Sequence, residues 1–285
     1  MTRTILPTPR KAAQYALTLA TLAIGTVAAY WAYLVVKQEH ILFMTHRLPE
    51  SVMPENFRSY SQAVPGGQVR GLIYSPLDPE AMTDMVVYVP GRGEDARTTG
   101  RAVALWLLPG FGFASLNYRG VANSEGLPTE VAAVNDFCQL ADHLRQVYPF
   151  VRLHLVGRSL GTGVAVQLAA RQEFASVQLV TPYDSLIEVA RKRFPFVPLD
   201  WLLRHQFNSM EHCKTVAAKT QVLLAETDDV VEHAHSQRLI DAWPTPIRAE
   251  TIANTDHHSI VASERTWMAV GVFALAVSEP AQKLA

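Results

Sequence analysis

A serine hydroxyl attacks a carbonyl carbon only when a base takes its proton. A histidine serves as that base when a carboxylate holds its ring. The chain places all three residue types where elements end. Ser159 lies in Gly157-Arg-Ser-Leu-Gly161. Ahead of it, Val151-Arg-Leu-His-Leu-Val156 alternates apolar with polar residues, which predicts a strand. Behind it, Val164, Ala165, Leu168 and Ala169 fall at helical spacing. A serine between such elements is held on a sharp strand-to-helix turn, its hydroxyl exposed at the C-terminal edge of a sheet. Gly157 and Gly161 leave room for neighbouring backbone that a Cβ would meet. The helix opening at Leu160 points free N–H groups at the reacting centre, so a developing oxyanion finds a donor.

Downstream of Ser159, three aspartates follow strand-like runs. Val222-Leu-Leu-Ala-Glu-Thr-Asp228 is an apolar run ending in carboxylates, and Asp229 is the next residue. Asp184 follows the short run at 177–180. Asp229 should point away from Asp228 and reads as a helix-start carboxylate before His233. After the final expected strand, one loop bears histidine: Asn254-Thr-Asp-His257-His258-Ser-Ile260. His233 and His235 fall on a helix and read as surface residues. His143, His154, His205 and His212 join no constellation. No His/Asp/Glu spacing resembles a metal-ligand set, so neither a metal nor a cofactor is expected.

The elements that must position these groups alternate. Residues 68–74, 85–89, 114–118, 151–156, 177–180, 221–225 and 247–252 read as strands. Helices are expected near 98–107, 129–146, 233–242 and 259–278. Strands alternating with helices predict an α/β fold with a mostly parallel twisted sheet covered on both faces. Of 285 residues 49% are hydrophobic, enough for one large domain and an appendage. The net charge of -1, with no basic stripe, points away from nucleic acid. Cys138 and Cys213 form no disulfide framework and read as small buried side chains.

From Ala12 to Val36 no residue is charged, a run of 25 positions. As a helix it would span about 37 Å, more than the roughly 30 Å of bilayer hydrocarbon. Tyr30, Trp31 and Tyr33 lie towards its end, where an aromatic belt would sit. A cleaved signal peptide is the rival reading, with Thr26-Val27-Ala28 as its site, although the apolar run continues past it. The expected organisation is a cytoplasmic N-terminus (1–11), a single transmembrane anchor (12–36) and a juxtamembrane connector (37–56). The large domain (57–285) follows. Arg3, Arg10 and Lys11 precede the run, which puts that domain outside the cytoplasm.

Taken in order, these signatures resemble the α/β-hydrolase superfamily over residues 57–278. Pro90-Gly-Arg-Gly93 stands where that family carries its oxyanion loop, which usually opens His-Gly. Asn117-Tyr-Arg-Gly120 with Asn123-Ser-Glu-Gly126 is similar to its Asp-Tyr-Arg-Gly and Ser-x-Gly loop, and Gly157–Gly161 to its nucleophile elbow. Thr181-Pro-Tyr-Asp-Ser185 and Phe194-Pro-Phe-Val-Pro198 resemble membrane-anchored serine hydrolases with a small cap (183–219), the branch of serine aminopeptidases and acyl-thioesterases. The family's order of serine, acid, histidine then implies Asp228 as the acid, in a Gly-x-x-Asp-x-x-Val pattern where Ala225 replaces the glycine. Asp184 is the alternative, since some members place the acid there. The same match implies His257 as the base and His258 as the residue opening a helix. The backbone N–H groups of Leu160 and Arg92 would be the oxyanion donors. The Arg92 side chain reads as solvated, or as a contact for an anionic substrate, and Arg119 and Arg158 as ties between loops and core. The implied activity is cleavage of an ester or thioester through an acyl-enzyme, on a small-molecule or lipid substrate at a bilayer. A peptidase and a non-catalytic binding module of the same fold are the alternatives.

Overall fold

The structure, a computed structural model, describes residues 8–45, 53, 56–76 and 81–278. The expected cytoplasmic residues 1–7, most of the connector after residue 45 and the turn residues 77–79 lie outside the described residues.

Eight strands form one sheet: β1 (Phe57–Val64), β2 (Gly67–Tyr74), β3 (Asp84–Val89), β4 (Phe111–Leu116), β5 (Arg152–Arg158), β6 (Ser176–Val180), β7 (Lys219–Thr227) and β8 (Arg248–Asp256). Their spatial order is β1-β2-β4-β3-β5-β6-β7-β8. The pairs β1–β2 and β2–β4 are antiparallel and the rest parallel. The C-terminal ends of β3, β5, β7 and β8 therefore open on the same edge. Strand β1 is fully buried only at Phe57 and its apolar residues do not alternate regularly, which is why hydrophobic periodicity did not predict it.

Helices cover both faces: α2 (Ala96–Ala104) and α9 (Glu264–Ser278) on one side, α3 (Glu130–Val147), α4 (Leu160–Ala169) and α8 (His233–Ala242) on the other. Alternation along the strands sorts their side chains. Met85, Val87 and Val89 of β3 join the core beneath α3 and α4, while Val86 and Tyr88 join the core beneath α2 and α9. Helix α3 starts where its cap signal stands, with Thr129 Oγ1 accepting from Ala132 N at 3.0 Å. Between β6 and β7 the chain forms a small cap from α5 (Leu186–Arg193), α6 (Leu199–Leu202) and α7 (Ser209–His212).

The first helix, α1, runs from Pro9 to Phe43. It is long and apolar enough to cross a membrane. Its 35 residues span roughly 52 Å, about 20 Å more than a bilayer core requires. The excess covers residues 37–43, the start of the expected juxtamembrane connector. The helix continues there without a break, and Gln38, Glu39 and Phe43 are buried against the α/β domain. Phe43 is fully buried, packed edge-on against Tyr118 with ring centroids 5.3 Å apart. Arg204 of the cap donates to Val35 O at 2.6 Å, and Gln38 Nε2 donates to Leu202 O at 3.3 Å.

Candidate active site

Strand register brings the expected groups together. Thr227 at the end of β7 pairs with Asp256 at the end of β8, so Asp228 and His257 emerge side by side. Val89 of β3 pairs with Gly157 of β5, so the loop after β3 faces the turn carrying Ser159. Ser159 Oγ lies 2.9 Å from His257 Nε2. His257 Nδ1 lies 2.9 and 3.0 Å from the two Asp228 oxygens. An ionised carboxylate only accepts, so Nδ1 carries the proton and Nε2 presents its lone pair to the serine. This is the tautomer that a general base needs.

Ser159 adopts φ 48 and ψ -119, a positive-φ conformation that is strained for a side-chain-bearing residue. Two contacts hold it there. Ser159 N donates to Val180 O at 2.9 Å, and Ser159 O accepts from Thr162 N at 2.9 Å. Gly161 lets the turn close, because a Cβ there would run into the carbonyl oxygens of Val89 and Pro90. The open hydroxyl expected from the sequence is corrected: Ser159 keeps only 8% of its surface accessible and His257 only 3%. Both groups are buried, and the low dielectric around them strengthens each polar contact.

Burial acts to raise the pKa of the Asp228 carboxyl. The hydrogen bond from His257, those from the N–H groups of Val231 and Val230, and the imidazole charge outweigh it, so the carboxyl titrates below its ordinary range. Val231 N and Val230 N lie 2.7 and 3.0 Å from Asp228 Oδ1.

Asp184 is held elsewhere. Its oxygens meet His235 Nδ1 at 2.8 Å and Arg238 Nε at 2.6 Å, locking α8 to the base of the cap. His235 is thus largely buried against Asp184, not on the open surface as expected. Asp229 is exposed and does not cap α8, whose preceding residue is Glu232. A short 3-10 turn (Ser259–Ala262) intervenes between His258 and α9, so His258 does not open the final helix. His154 and His205, which joined no expected constellation, are both buried in polar contacts.

The loop of the expected oxyanion donors, residues 90–95, is held from three directions. Tyr118 donates its hydroxyl to Pro90 O at 2.6 Å. Arg158 bridges Glu94 and the His257 carbonyl, tying this loop to the histidine loop. Glu94 also accepts from the Tyr88 hydroxyl at 2.7 Å. The Arg92 side chain is not simply solvated, since its Nε donates to Ile41 O near the end of α1 at 3.0 Å. Burial, and then the charge of Arg193, press its pKa below the usual arginine value. Asn117 suits its place: its Oδ1 accepts from Ala96 N at 2.7 Å while its Nδ2 faces Asp95 Oδ1 at 3.2 Å, where a second carboxylate would repel the first. Arg119 forms a two-pronged bond to Asp136 at 2.7 and 2.8 Å, as a tie between loop and core. Sequence reasoning missed Glu94 and Tyr118, because neither pattern nor chain order marks a residue that acts by holding a loop.

The structure and sequence agree with the comparisons. A model of the serine aminopeptidase family, S33, matches residues 80–183. An uncharacterized protein of Mycobacterium tuberculosis is 27% identical over 247 residues, 84% of this chain and 86% of that protein. A Danio rerio protein named lysophosphatidylserine lipase ABHD12 is 27% identical over 179 residues, 55% of this chain and 46% of its own. Among solved structures, a Pyrococcus furiosus esterase superposes with TM-score 0.64 at 14% identity, covering 82% of this chain and 97% of its own. A Xanthomonas campestris α/β serine hydrolase without a lid gives 0.56 at 17% identity, covering 82% and 100%. At such identities the solved structures share the fold. The chain has the α/β-hydrolase fold, and the matched family model and curated relatives support the α/β-hydrolase superfamily.

Proposed function

We propose that this protein is a membrane-anchored serine hydrolase that cleaves a carboxylic ester or thioester through an acyl-enzyme. The observation that carries the reading is the unbroken path from Ser159 Oγ through His257 to Asp228, with contacts of 2.9 Å on each side of the ring. His257 Nε2 takes the serine proton as Oγ attacks the substrate carbonyl. Asp228 stabilises the imidazolium that results. The N–H of Leu160, at the free N-terminus of α4, and that of Arg92 would donate to the oxyanion. Collapse of the tetrahedral intermediate expels the leaving group, which takes a proton from His257 Nε2. Water, deprotonated by the same nitrogen, then releases the acid and restores Ser159.

Membrane placement and an acyl substrate follow from two supports. One is α1. The other is the cap, where Phe196 and Trp201 are each 88% exposed. The loop after Trp201 bonds to α1 at Val35 and Gln38, which would bring this part of the cap close to where such a helix leaves a bilayer. The relative named a lysophosphatidylserine lipase supports a lipid substrate, and the matched aminopeptidase model supports a peptide bond instead. Each buried methylene adds about 0.8 kcal/mol, so an acyl site should prefer medium or long chains to acetate. A panel of p-nitrophenyl esters from about two to sixteen carbons, run beside aminoacyl amides in detergent and in liposomes, tests this. We expect kcat/KM to rise with chain length. Cleavage of the amides with no gain from longer acyl chains would favour the peptidase.

A further inference from the structure

Resting on the hydrolase reading, we propose that the last turn of α1 is a positioning element of the active site, with Arg92 and Met44 as the residues that couple it to the oxyanion loop. Four contacts converge. Arg92 Nε donates to Ile41 O at 3.0 Å, using one of the carbonyls that a helix leaves without an internal partner at its C-terminal end. Met44 ends the helix in the left-handed conformation, φ 51, and its side chain lies over Gly93. A Cβ on Gly93 would stand 3.0 Å from Met44 Sδ and 3.2 Å from Met44 Cβ. Phe43 packs against Tyr118 in a T-shaped pair, and the Tyr118 hydroxyl donates to Pro90 O. Residues 90, 92 and 93 of one short loop are therefore each fixed by α1 or by a ring that α1 covers.

The consequence is specific. The Arg92 N–H must point at the oxyanion, not at the ground-state carbonyl, to lower the barrier. The side chain of the same residue is tied to α1 through its Nε. Loss of the tie frees the loop to rotate and should weaken transition-state stabilisation while leaving substrate binding nearly intact. An anchor that only tethers the domain would not act on kcat.

The full chain in detergent micelles, assayed with a p-nitrophenyl ester, tests the proposal through Arg92→Ala, Arg92→Lys and Met44→Gly. Glycine is well suited to a positive φ, so Met44→Gly removes the side chain over Gly93 without straining the helix end. We expect kcat to fall roughly tenfold in Arg92→Ala and in Met44→Gly, with KM within about twofold and the thermal unfolding midpoint little changed. Arg92→Lys should recover part of the loss, since an ammonium can still reach the Ile41 carbonyl. Unchanged kcat in both variants, or a loss of kcat that tracks a loss of folded protein, overturns the positioning role while the hydrolase reading stands. Absence of Ser159-dependent turnover in the parent protein overturns both.

Discussion

The side chains at the candidate site differ in kind from their near neighbours, and substitution should show it. His257 stands between Ser159 and Asp228, whereas His258 meets its neighbour's ring edge-on and reaches neither. We expect His257→Ala to lower kcat/KM by roughly four orders of magnitude and His258→Ala by less than about tenfold. Asp228→Asn should cost about as much as His257→Ala, because an amide can hold the ring in the wrong tautomer. Asp184→Asn should cost little in rate, since Asp184 serves His235 and Arg238. Steady-state kinetics on the four variants checks the assignment, and a reversal within either pair would move the role to the other residue. Much of this was legible in the chain. The glycines around Ser159, the apolar run ending at Asp228 and the loop bearing His257 are local patterns, and chain order links them. What was not legible is the engagement of a side chain with a partner far along the chain, such as Asp184 with Arg238 or Arg92 with Ile41. No periodicity encodes such pairs.

Elements, not residue types, decide which serine can act. At the opposite end of the sheet Ser176, His154 and Asp84 also form a chain of contacts, 2.8 Å on each side of the ring. All three are fully buried near the starts of their strands, and no strained turn presents the serine. This cluster is structural: Asp84 also accepts from Arg152 Nε and Nη2 at 2.9 Å and from Ser278 Oγ at 3.0 Å, binding β3, β5 and α9 together. Burial acts to raise the Asp84 pKa, but the hydrogen bonds from His154, Arg152, Thr83 and Ser278 outweigh it and hold the carboxyl far below its ordinary range. The unfolded chain therefore takes up the proton first. Asp84 stabilises the fold fully above about pH 4, and that contribution is lost as pH falls towards the folded value. Asp84→Ala should cost about 3 kcal/mol at neutral pH, the scale of breaking a buried pair, and the gap to the parent should narrow in acid. Urea unfolding at a series of pH values measures both, and a gap that widens in acid would contradict the account. Apolar runs revealed the central strands because these are buried on both faces of the sheet. They did not reveal β1, an edge strand with no such run.

The molecule as a whole joins a membrane-competent helix to a hydrolase domain without a flexible link in the described part of the junction. The sequence marked the apolar run through its lack of charge. It gave no sign that the helix continues to Phe43, because the turns after Val36 are held by the cap and by Tyr118, not by lipid. The docked stretch begins near Val35, so cleavage at Thr26-Val27-Ala28 would leave it in place. Topology is thus open to a direct test. The protein should resist carbonate extraction, and protease added on the outer face should digest the α/β domain, the orientation expected from Arg3, Arg10 and Lys11 ahead of the uncharged run. A soluble form beginning near Ala29 would establish a signal peptide instead. The central claim is that Ser159 is an activated nucleophile, and the most direct measurement is covalent labelling of the full chain by a fluorophosphonate probe. The account predicts rapid labelling that is abolished in Ser159→Ala, in a protein that unfolds with the same cooperativity as the parent. Labelling of Ser159→Ala at the parent rate, or no labelling of the correctly folded parent, would contradict it.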